Sequence, residues 1–424
     1  MLLLRLVNHP ASFLVPVLFL TSAAFPGVAR ASALKAGDVV AIGGDSITQQ
    51  RIYSVFVESY LLACQPAADL QALQLGWGGE KAGGFNGRIE TDVLPFAPSV
   101  VTTCYGMNDG RYEAVTDAVI AEYRSATQAT VRKLKRAGVR LIVVGSPGAV
   151  DPGGFKRPKI DAATYNQTLS ALAGAAREVA AAEEVGFADV HAEMMAAMTK
   201  AHAKFGPSYI LARDGVHPQA NGHLPMAAAF LKALGCDGEI GRITCDFTGG
   251  QVEADTGQQV INTKRGRIEI ESRRYPFCFV GAAGDPATVA MLDCLPFNAQ
   301  LNRYLLVVKN APSRTRVTWG GASRIYSAAE LAAGVNLAAD FLKNPFCERF
   351  AEVLAAVQVQ QDFEVPGIKG ILHSMPEWRK ALPEKPELIT ALQDAVMEKD
   401  AALRAAARAA VTPLRHELIL EAAR

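Results

Sequence analysis

The sequence predicts an α/β protein. Its first part is a parallel sheet with helices on both faces, followed by a smaller β-rich unit and a helical C-terminal region. Three observations predict this. Strand-like and helix-like patterns alternate from Lys35 to about Gly235, and repeated β–α units imply parallel strands joined by crossovers. The strand-like runs are nearly continuous in apolar residues, as in Leu141-Ile142-Val143-Val144, which suits burial on both faces. After Gly235 the period falls to two, with Arg267-Ile268-Glu269-Ile270-Glu271 alternating cleanly, and helical periodicity returns from Ser327.

The first stretch of the chain lies outside the fold. Arg5 and His9 precede the short apolar run Phe13–Leu20, and small residues then lead to Ala29-Arg30-Ala31. These are the three regions of a secretory signal peptide over residues 1–31. The apolar run is shorter than the roughly 20 residues of a membrane span. No later stretch supplies such a span. The expectation is an exported protein, secreted or periplasmic, with no integral membrane segment after cleavage.

Residues 35–235 carry five strand-like runs: Asp38–Ile42, Leu73–Gly76, Ser99–Tyr105, Arg140–Gly145 and Val185–Val190. Helical patterns separate them. Ile52, Val55, Phe56 and Tyr60 share one face. So do Ile120, Tyr123, Val131 and Leu134 of Thr116–Ala137, which Gly138 stops. Further helices are read at Ala162–Ala181, His191–Lys204 and Ala220–Leu234. Residues 236–320 read as a small antiparallel β unit. Residues 321–424 read as helical, with Leu388, Leu392, Val396 and Leu403 tracing a stripe that ends near Pro413.

Composition narrows the function. The net charge is +1 and a fifth of the residues are charged, so nothing favours a nucleic-acid partner. The seven cysteines are an odd number at low density and form no C-x-x-C, so neither a disulfide scaffold nor a structural zinc site is expected. Cys236 with Cys245, or Cys278 with Cys294, could bridge after export; buried free thiols are the alternative.

The chemistry centres on Val39-Val40-Ala41-Ile42-Gly43-Gly44-Asp45-Ser46-Ile47-Thr48, an apolar strand that breaks at glycines and passes at once into a helix. A serine on such a turn is presented at the C-terminal edge of the sheet, where open α/β sheets bind ligands. Alone, Ser46 would more simply be a helix cap. Three further stretches fall at the same edge: Gly76-Trp77-Gly78-Gly79-Glu80, Gly106-Met107-Asn108-Asp109-Gly110 and Asp214-Gly215-Val216-His217-Pro218. Asp214 and His217 lie within one turn, close enough for the carboxylate to reach the imidazole. A serine hydroxyl becomes a nucleophile when a histidine takes its proton, and an aspartate fixes the histidine's tautomer. Acyl transfer also needs donors aimed at the oxyanion, and the N–H groups of Ser46 and Gly79 with the Asn108 amide would supply three. The Gly43-Gly44 turn lacks the further glycines and the lysine of a phosphate-binding loop.

Gly44-Asp45-Ser46, the glycine of Gly76-x-x-Gly79, Gly106-x-Asn108-Asp109 and Asp214-x-x-His217 resemble, in order, the four blocks of the SGNH (GDSL) hydrolase family. The resemblance covers about Gly37 to Leu234. It implies a three-layer α/β/α, flavodoxin-like domain, no metal or other cofactor, and ester hydrolysis through an acyl-enzyme. Carried over, Ser46 is the nucleophile, His217 the base and Asp214 its partner, with Ser46, Gly79 and Asn108 forming the oxyanion hole. Which glycine of Trp77-Gly78-Gly79 donates is left open.

Asp45, Trp77, Met107, Asp109 and Tyr112 are candidates to line the substrate site, with core packing as the alternative. His223 is read as packing or capping, and His191 and His202 as structural. The loop Pro147–Lys159, with Asp151, Lys156, Arg157 and Lys159, is either a solvated loop or a substrate-binding one. The expected activity is that of an exported serine esterase acting on small-molecule or glycan esters, above all short acyl (acetyl) esters of carbohydrates. A lipase, lysophospholipase or thioesterase for longer chains is the alternative. A non-catalytic carbohydrate-binding or scaffold protein that keeps the fold is the alternative of another class.

Overall fold

The computed structural model describes residues 34–65, 67–281 and 285–424, so the signal-peptide reading at residues 1–31 lies outside the described residues. Among the described residues, no helix is long and apolar enough to cross a membrane.

The elements of the first part are β1 (Val39–Gly44), α1 (Ser46–Gln49), α2 (Tyr53–Ala63), β2 (Gln71–Gly76), α3 (Ala82–Arg88), β3 (Val100–Cys104), α4 (Asp117–Arg136), β4 (Leu141–Gly145), α5 (Ala162–Ala182), β5 (Gly186–Ala188), α6 (Val190–Phe205) and α7 (Ala220–Ala233). The five strands form one parallel sheet in the order β2-β1-β3-β4-β5. All five strand readings find their strand. Alternate residues face opposite layers, as the period of two requires. Val40, Ile42, Leu141 and Val143 pack with Tyr53, Phe56, Met194 and Phe230 of α2, α6 and α7. Ala41, Ile142 and Val144 pack with Phe85, Tyr123 and Leu172 of α3, α4 and α5. The result is the expected three-layer α/β/α domain.

The rest of the chain comprises β6 (Glu239–Asp246), β7 (Val252–Ala254), β8 (Gln258–Lys264), β9 (Arg267–Ser272), α8 (Phe297–Leu301), β10 (Arg303–Lys309), β11 (Arg314–Trp319), β12 (Ala322–Ser327), α9 (Ala328–Ala333), β13 (Val335–Asn336), α10 (Leu337–Asp340), α11 (Cys347–Glu364), α12 (Met375–Ala381), α13 (Pro386–Ala409) and β14 (Leu414–Ala422). These strands make two sheets, β13-β10-β6-β7 and β12-β11-β14-β9-β8. Three expectations change here. The β unit is not wholly antiparallel, because β10 runs parallel to β6. It does not end at residue 320, because β14 inserts between β11 and β9. The physical reason is local: after Pro413, His416, Leu418 and Leu420 turn inward while Arg415, Glu417 and Glu421 stay exposed, a period of two rather than a helical one. The stripe on α13 keeps Val396 but not Leu388 and Leu392. Ile389, Val396, Asp400, Arg404 and Ala407 are buried, whereas Leu388 and Leu392 are exposed.

Neither proposed disulfide pairing is formed, and all seven cysteines are free. The thiol that meets Cys278 is that of Cys347, at the start of α11, and the two hydrogen-bond.

Strand β2 is a sheet edge, which would leave backbone groups unpaired. Helix α11 covers it with two buried side chains one turn apart. The Gln360 amide donates to the Ala72 carbonyl at 2.9 Å, and Glu364 accepts from the Gln74 N–H at 2.6 Å. Spaced by two residues on one edge, these bonds replace what a sixth strand would make. Helix α11 also packs Val353 and Val357 against Val55 of α2 and Ala407 of α13. The accessory region is thereby joined to the first domain through a shared core.

Candidate active site

The site is built on the C-terminal edge of the parallel sheet. Strand β1 is central there, between β2 and β3. A Cβ on Gly44 would collide with Thr48 and come within 3.1 Å of the Cys104 carbonyl, so only glycine lets the chain turn this tightly into α1. Asp45 caps that helix, accepting from the Ile47 N–H at 2.9 Å. Ser46 follows, half-buried at the edge.

Two further residues meet it. The Ser46 hydroxyl lies 2.8 Å from His217 Nε2, and His217 Nδ1 lies 2.6 Å from Asp214 Oδ2. The other carboxylate oxygen of Asp214 accepts from the N–H groups of Val216 (3.0 Å) and His217 (2.8 Å), so the aspartate organises its own turn. Burial works against its charge. The hydrogen bonds from the His217 ring and from the turn outweigh it and hold the carboxyl below its ordinary value. With Nδ1–H directed at the carboxylate, Nε2 is the acceptor that faces the serine hydroxyl.

The surrounding loops hold this turn in place. Gln50 Nε2 donates to the Pro218 carbonyl at 3.2 Å. Asp151 is buried, accepts from Ala212 N (3.3 Å) and Gly153 N (2.9 Å), and donates its own N–H to the Gly215 carbonyl at 2.8 Å. His223 lies beneath: its Nδ1 accepts from the Tyr53 N–H at the start of α2, and burial brings its pKa down to about 3.

The second block resolves which glycine is free. The Gly78 N–H is bound to Gln49 Oε1 at 2.6 Å. Among the described residues neither the Gly79 N–H nor the Ser46 N–H has an acceptor. Gly79 has φ +74° and open space where a Cβ would stand. Glu80 anchors the loop through Arg88, with both carboxylate oxygens 2.7 Å from the guanidinium, and through the Tyr105 hydroxyl at 2.6 Å. Asn108 donates one amide hydrogen to the Glu80 carbonyl at 3.0 Å, leaving the other unassigned.

The candidate lining residues divide. Asp45, Met107 and Asp109 are buried. Burial pushes Asp45 up to about 7, with repulsion from Asp109 and Glu80 adding to the rise against the hydrogen bond from Ile47. Asp109 ties two loops together by accepting from Ala82 N (3.1 Å) and Gly106 N (3.0 Å). The carboxylates of Asp45 and Asp109 are thus used on backbone N–H groups. Trp77 and Tyr112 remain half-exposed. Tyr112 stacks on Tyr165 at 4.9 Å, and the Arg157 guanidinium lies 4.6 Å from its ring centre.

Several residues of the site carry no sequence signal of their own. Gln49 and Arg88 look like ordinary polar residues until the fold joins them to the blocks, and Asp151, read as part of a solvated or substrate-binding loop, is instead buried and bonded to backbone. Lys369 and His373, which pack on Trp77 at 4.6 and 4.7 Å, are nearly three hundred residues away from it. Among the described residues, no group of three or more His, Cys, Asp or Glu side chains is arranged to hold a metal ion.

Fold and site together define a class: an α/β/α domain whose strand edge carries a hydrogen-bonded serine, histidine and aspartate. Residues 43–224 match the model of the GDSL-like lipase/acylhydrolase family. A gut microbial diltiazem-metabolizing enzyme, BT4096, has the same fold, with TM-score 0.72 and 22% identity over 93% of this chain and 100% of that one. A catalytic mutant of an acetylxylan esterase from Geobacillus stearothermophilus aligns at TM-score 0.40 and 22% identity, covering 48% of this chain and 96% of its own. An alpha/beta hydrolase enzyme from the metagenome of Lake Arreo aligns at TM-score 0.39 and 23% identity, over 48% and 97%. No curated protein matches the chain.

Proposed function

We propose that this protein is an exported serine esterase that removes short acyl groups, acetyl above all, from carbohydrate esters. The observation that carries the catalytic part is the unbroken chain from Ser46 through His217 to Asp214, at 2.8 and 2.6 Å. Ser46 Oγ attacks the ester carbonyl as His217 Nε2 takes its proton. The tetrahedral oxyanion accepts hydrogen bonds from the N–H groups of Ser46 and Gly79 and from the Asn108 amide. Collapse expels the alcohol, which leaves with the proton from His217. Water then attacks the acyl-enzyme by the same route, giving the acid and restoring Ser46. Asp214 keeps the imidazole in the right tautomer and steadies the imidazolium.

The rim supports a polar alcohol rather than a long chain. Gln49 and Gln50 follow the serine closely in the chain, Asn108 bonds the Glu80 carbonyl, and Arg157 lies over the Tyr112 ring. Of the large apolar side chains left exposed among the described residues, Val115 alone lies on a loop of this edge. Export is supported by the pattern of residues 1–31.

A fluorophosphonate probe tests the nucleophile: labelling is expected in the wild type and lost in Ser46→Ala. Equal labelling of both, or of neither, sinks the esterase reading and favours a non-catalytic scaffold. A chain-length series of p-nitrophenyl esters beside acetylated oligosaccharides tests the substrate; a strong preference for long chains would make the protein a lipase, lysophospholipase or thioesterase instead.

A further inference from the structure

The C-terminal region reaches the candidate site at one place. Helix α11 runs along the edge of β2, fixed by Gln360 and Glu364, and leads directly into a wide turn at Val365–Ile371. Because β2 ends at Gly76, that turn comes to lie beside the loop that follows, Trp77–Glu80. Lys369 Nζ sits 4.6 Å from the Trp77 ring centre and 3.2 Å from Gln49 Oε1. The same oxygen accepts the Gly78 N–H at 2.6 Å. Both partners are donors, which fixes the Gln49 amide with its oxygen toward them. A Cβ on Gly78 would stand 4.0 Å from that of Ser46, so this bond is made next to the nucleophile.

A second grip comes from His373. Its ring packs against Trp77 at 4.7 Å, and its Nδ1 lies 3.0 Å from the buried carboxylate of Asp92. Asp92 pairs with Arg88 at 3.3 Å, and Arg88 holds both oxygens of Glu80. The loop is therefore held at its start through Trp77 and Gly78 and at its end through Glu80, both times from the segment 365–374.

We propose that Lys369, acting through Gln49, is a positioning residue for the Gly79 oxyanion donor, so that the C-terminal region completes the active site. With Gly78 tied back to Gln49, the peptide turns at Gly79, whose N–H has no acceptor among the described residues. An unrestrained glycine pair would sample many orientations, and a donor that must be ordered during the reaction contributes less to the transition state. This inference rests on the esterase reading of Ser46.

The test uses the full chain with p-nitrophenyl acetate and a boronic acid, whose tetrahedral adduct on the serine mimics the transition state. Lys369→Met keeps the stem over Trp77 and removes the charge; Gln49→Ala cuts the same link from the other side. Each is expected to lower kcat by about ten- to a hundredfold, with KM within about twofold and the melting temperature unchanged. Boronate affinity should fall in step with kcat. The double variant should cost no more than the larger single one, since both break one chain. Lys369→Arg, which can still stack and donate, should recover most of the rate. A Lys369→Met enzyme within twofold of wild-type kcat overturns the inference, as does a loss confined to KM or one that arginine does not restore. A wild type without Ser46-dependent turnover overturns the esterase reading, and this inference with it.

Discussion

Replacing Asp214 by asparagine should damage the enzyme more than deleting its side chain. The reason lies in how the two carboxylate oxygens are used. Oδ1 accepts from two backbone N–H groups, at 3.0 and 2.8 Å, and Oδ2 faces His217 Nδ1 at 2.6 Å. An asparagine has one oxygen for these two jobs. Two backbone donors outbid one ring nitrogen, so the amide oxygen stays on the turn and the NH2 group faces Nδ1. That nitrogen must then accept, which moves the ring proton to Nε2, pointing at Ser46. The base is left without a lone pair where the serine proton should go. A wrong tautomer of this kind costs about 10⁴-fold in kcat, about 5 kcal/mol on the barrier.

Alanine imposes no tautomer. The Asp214 side chain is 55% exposed, so water can reach both the turn and Nδ1 once the carboxylate is gone. The ring then populates both neutral forms, and the loss is confined to orientation and to the charge that steadied the imidazolium. Solvent screening limits the latter, and the expected cost is about 10²- to 10³-fold. Initial rates on p-nitrophenyl acetate at saturating substrate separate the two variants, and thermal melts should move little for either. An Asp214→Asn enzyme more active than Asp214→Ala, or either one within tenfold of the wild type, would refute this account of the carboxylate.

Three further outcomes follow from burial and close contact. Burial pushes the Glu58 carboxyl up to about 8 and raises Glu364 and Asp400 beside it. A carboxyl whose folded pKa exceeds its unfolded one stabilises at low pH and loses that contribution as pH rises toward the folded value. Buried His223 and His416, brought down to about 3 and about 4, act in the opposite sense below neutrality. The difference between variants is therefore the readout: in urea melts Glu58→Gln should gain on the wild type as pH rises from about 5 to 8, and a constant gap would count against a proton on Glu58. The hydrogen bond from Cys278 lowers Cys347 to about 6 against the effect of burial, so iodoacetamide should alkylate Cys347 before the other cysteines, and Cys278→Ala should move that reaction to higher pH. Peptide mass spectrometry would show whether another thiol reacts first. Finally, Gly79→Ala meets open space and costs only its positive φ, roughly 1–2 kcal/mol. Gly44→Ala drives a methyl into Thr48 and should lower the melting temperature more; the reverse order would mean that the β1 turn has room to relax.

Much of the first domain was legible because its rules are local. Apolar runs such as Leu141–Val144 are long enough to mark strands, and Gly138 marks a helix end. The four blocks fall at strand ends, so reading the strands already placed Ser46, Gly79, Asn108 and His217 on one edge. Burial of the neighbouring residues was not legible. Asp45, Met107 and Asp109 stand beside site residues in sequence, but on an edge loop adjacent residues point in different directions, and these three point inward. The β unit was misread at its ends for a different reason. Strand β14 pairs with β9 across about 145 residues, and no pattern in Leu414–Ala422 names its partner. Likewise the α13 stripe follows Ile389 rather than Leu388, because a helix edge with apolar residues at adjacent positions does not say which one faces in.

The long-range links explain why the accessory region is part of the site rather than an appendage to it. Its first task is structural: β2 needs partners for Ala72 and Gln74, and buried Gln360 and Glu364 supply them. Removing either would strand a backbone group inside the protein, at about 1–3 kcal/mol each. That same docking fixes where the turn after α11 can go. It can reach only the loop that leaves β2, which is the loop carrying Gly79. Edge protection and oxyanion geometry are thus set by one contact, and a change that loosens α11 should appear both in stability and in kcat. Changes on the far side of the β unit, around Lys264 or Ile325, touch neither β2 nor its loop and should leave turnover alone.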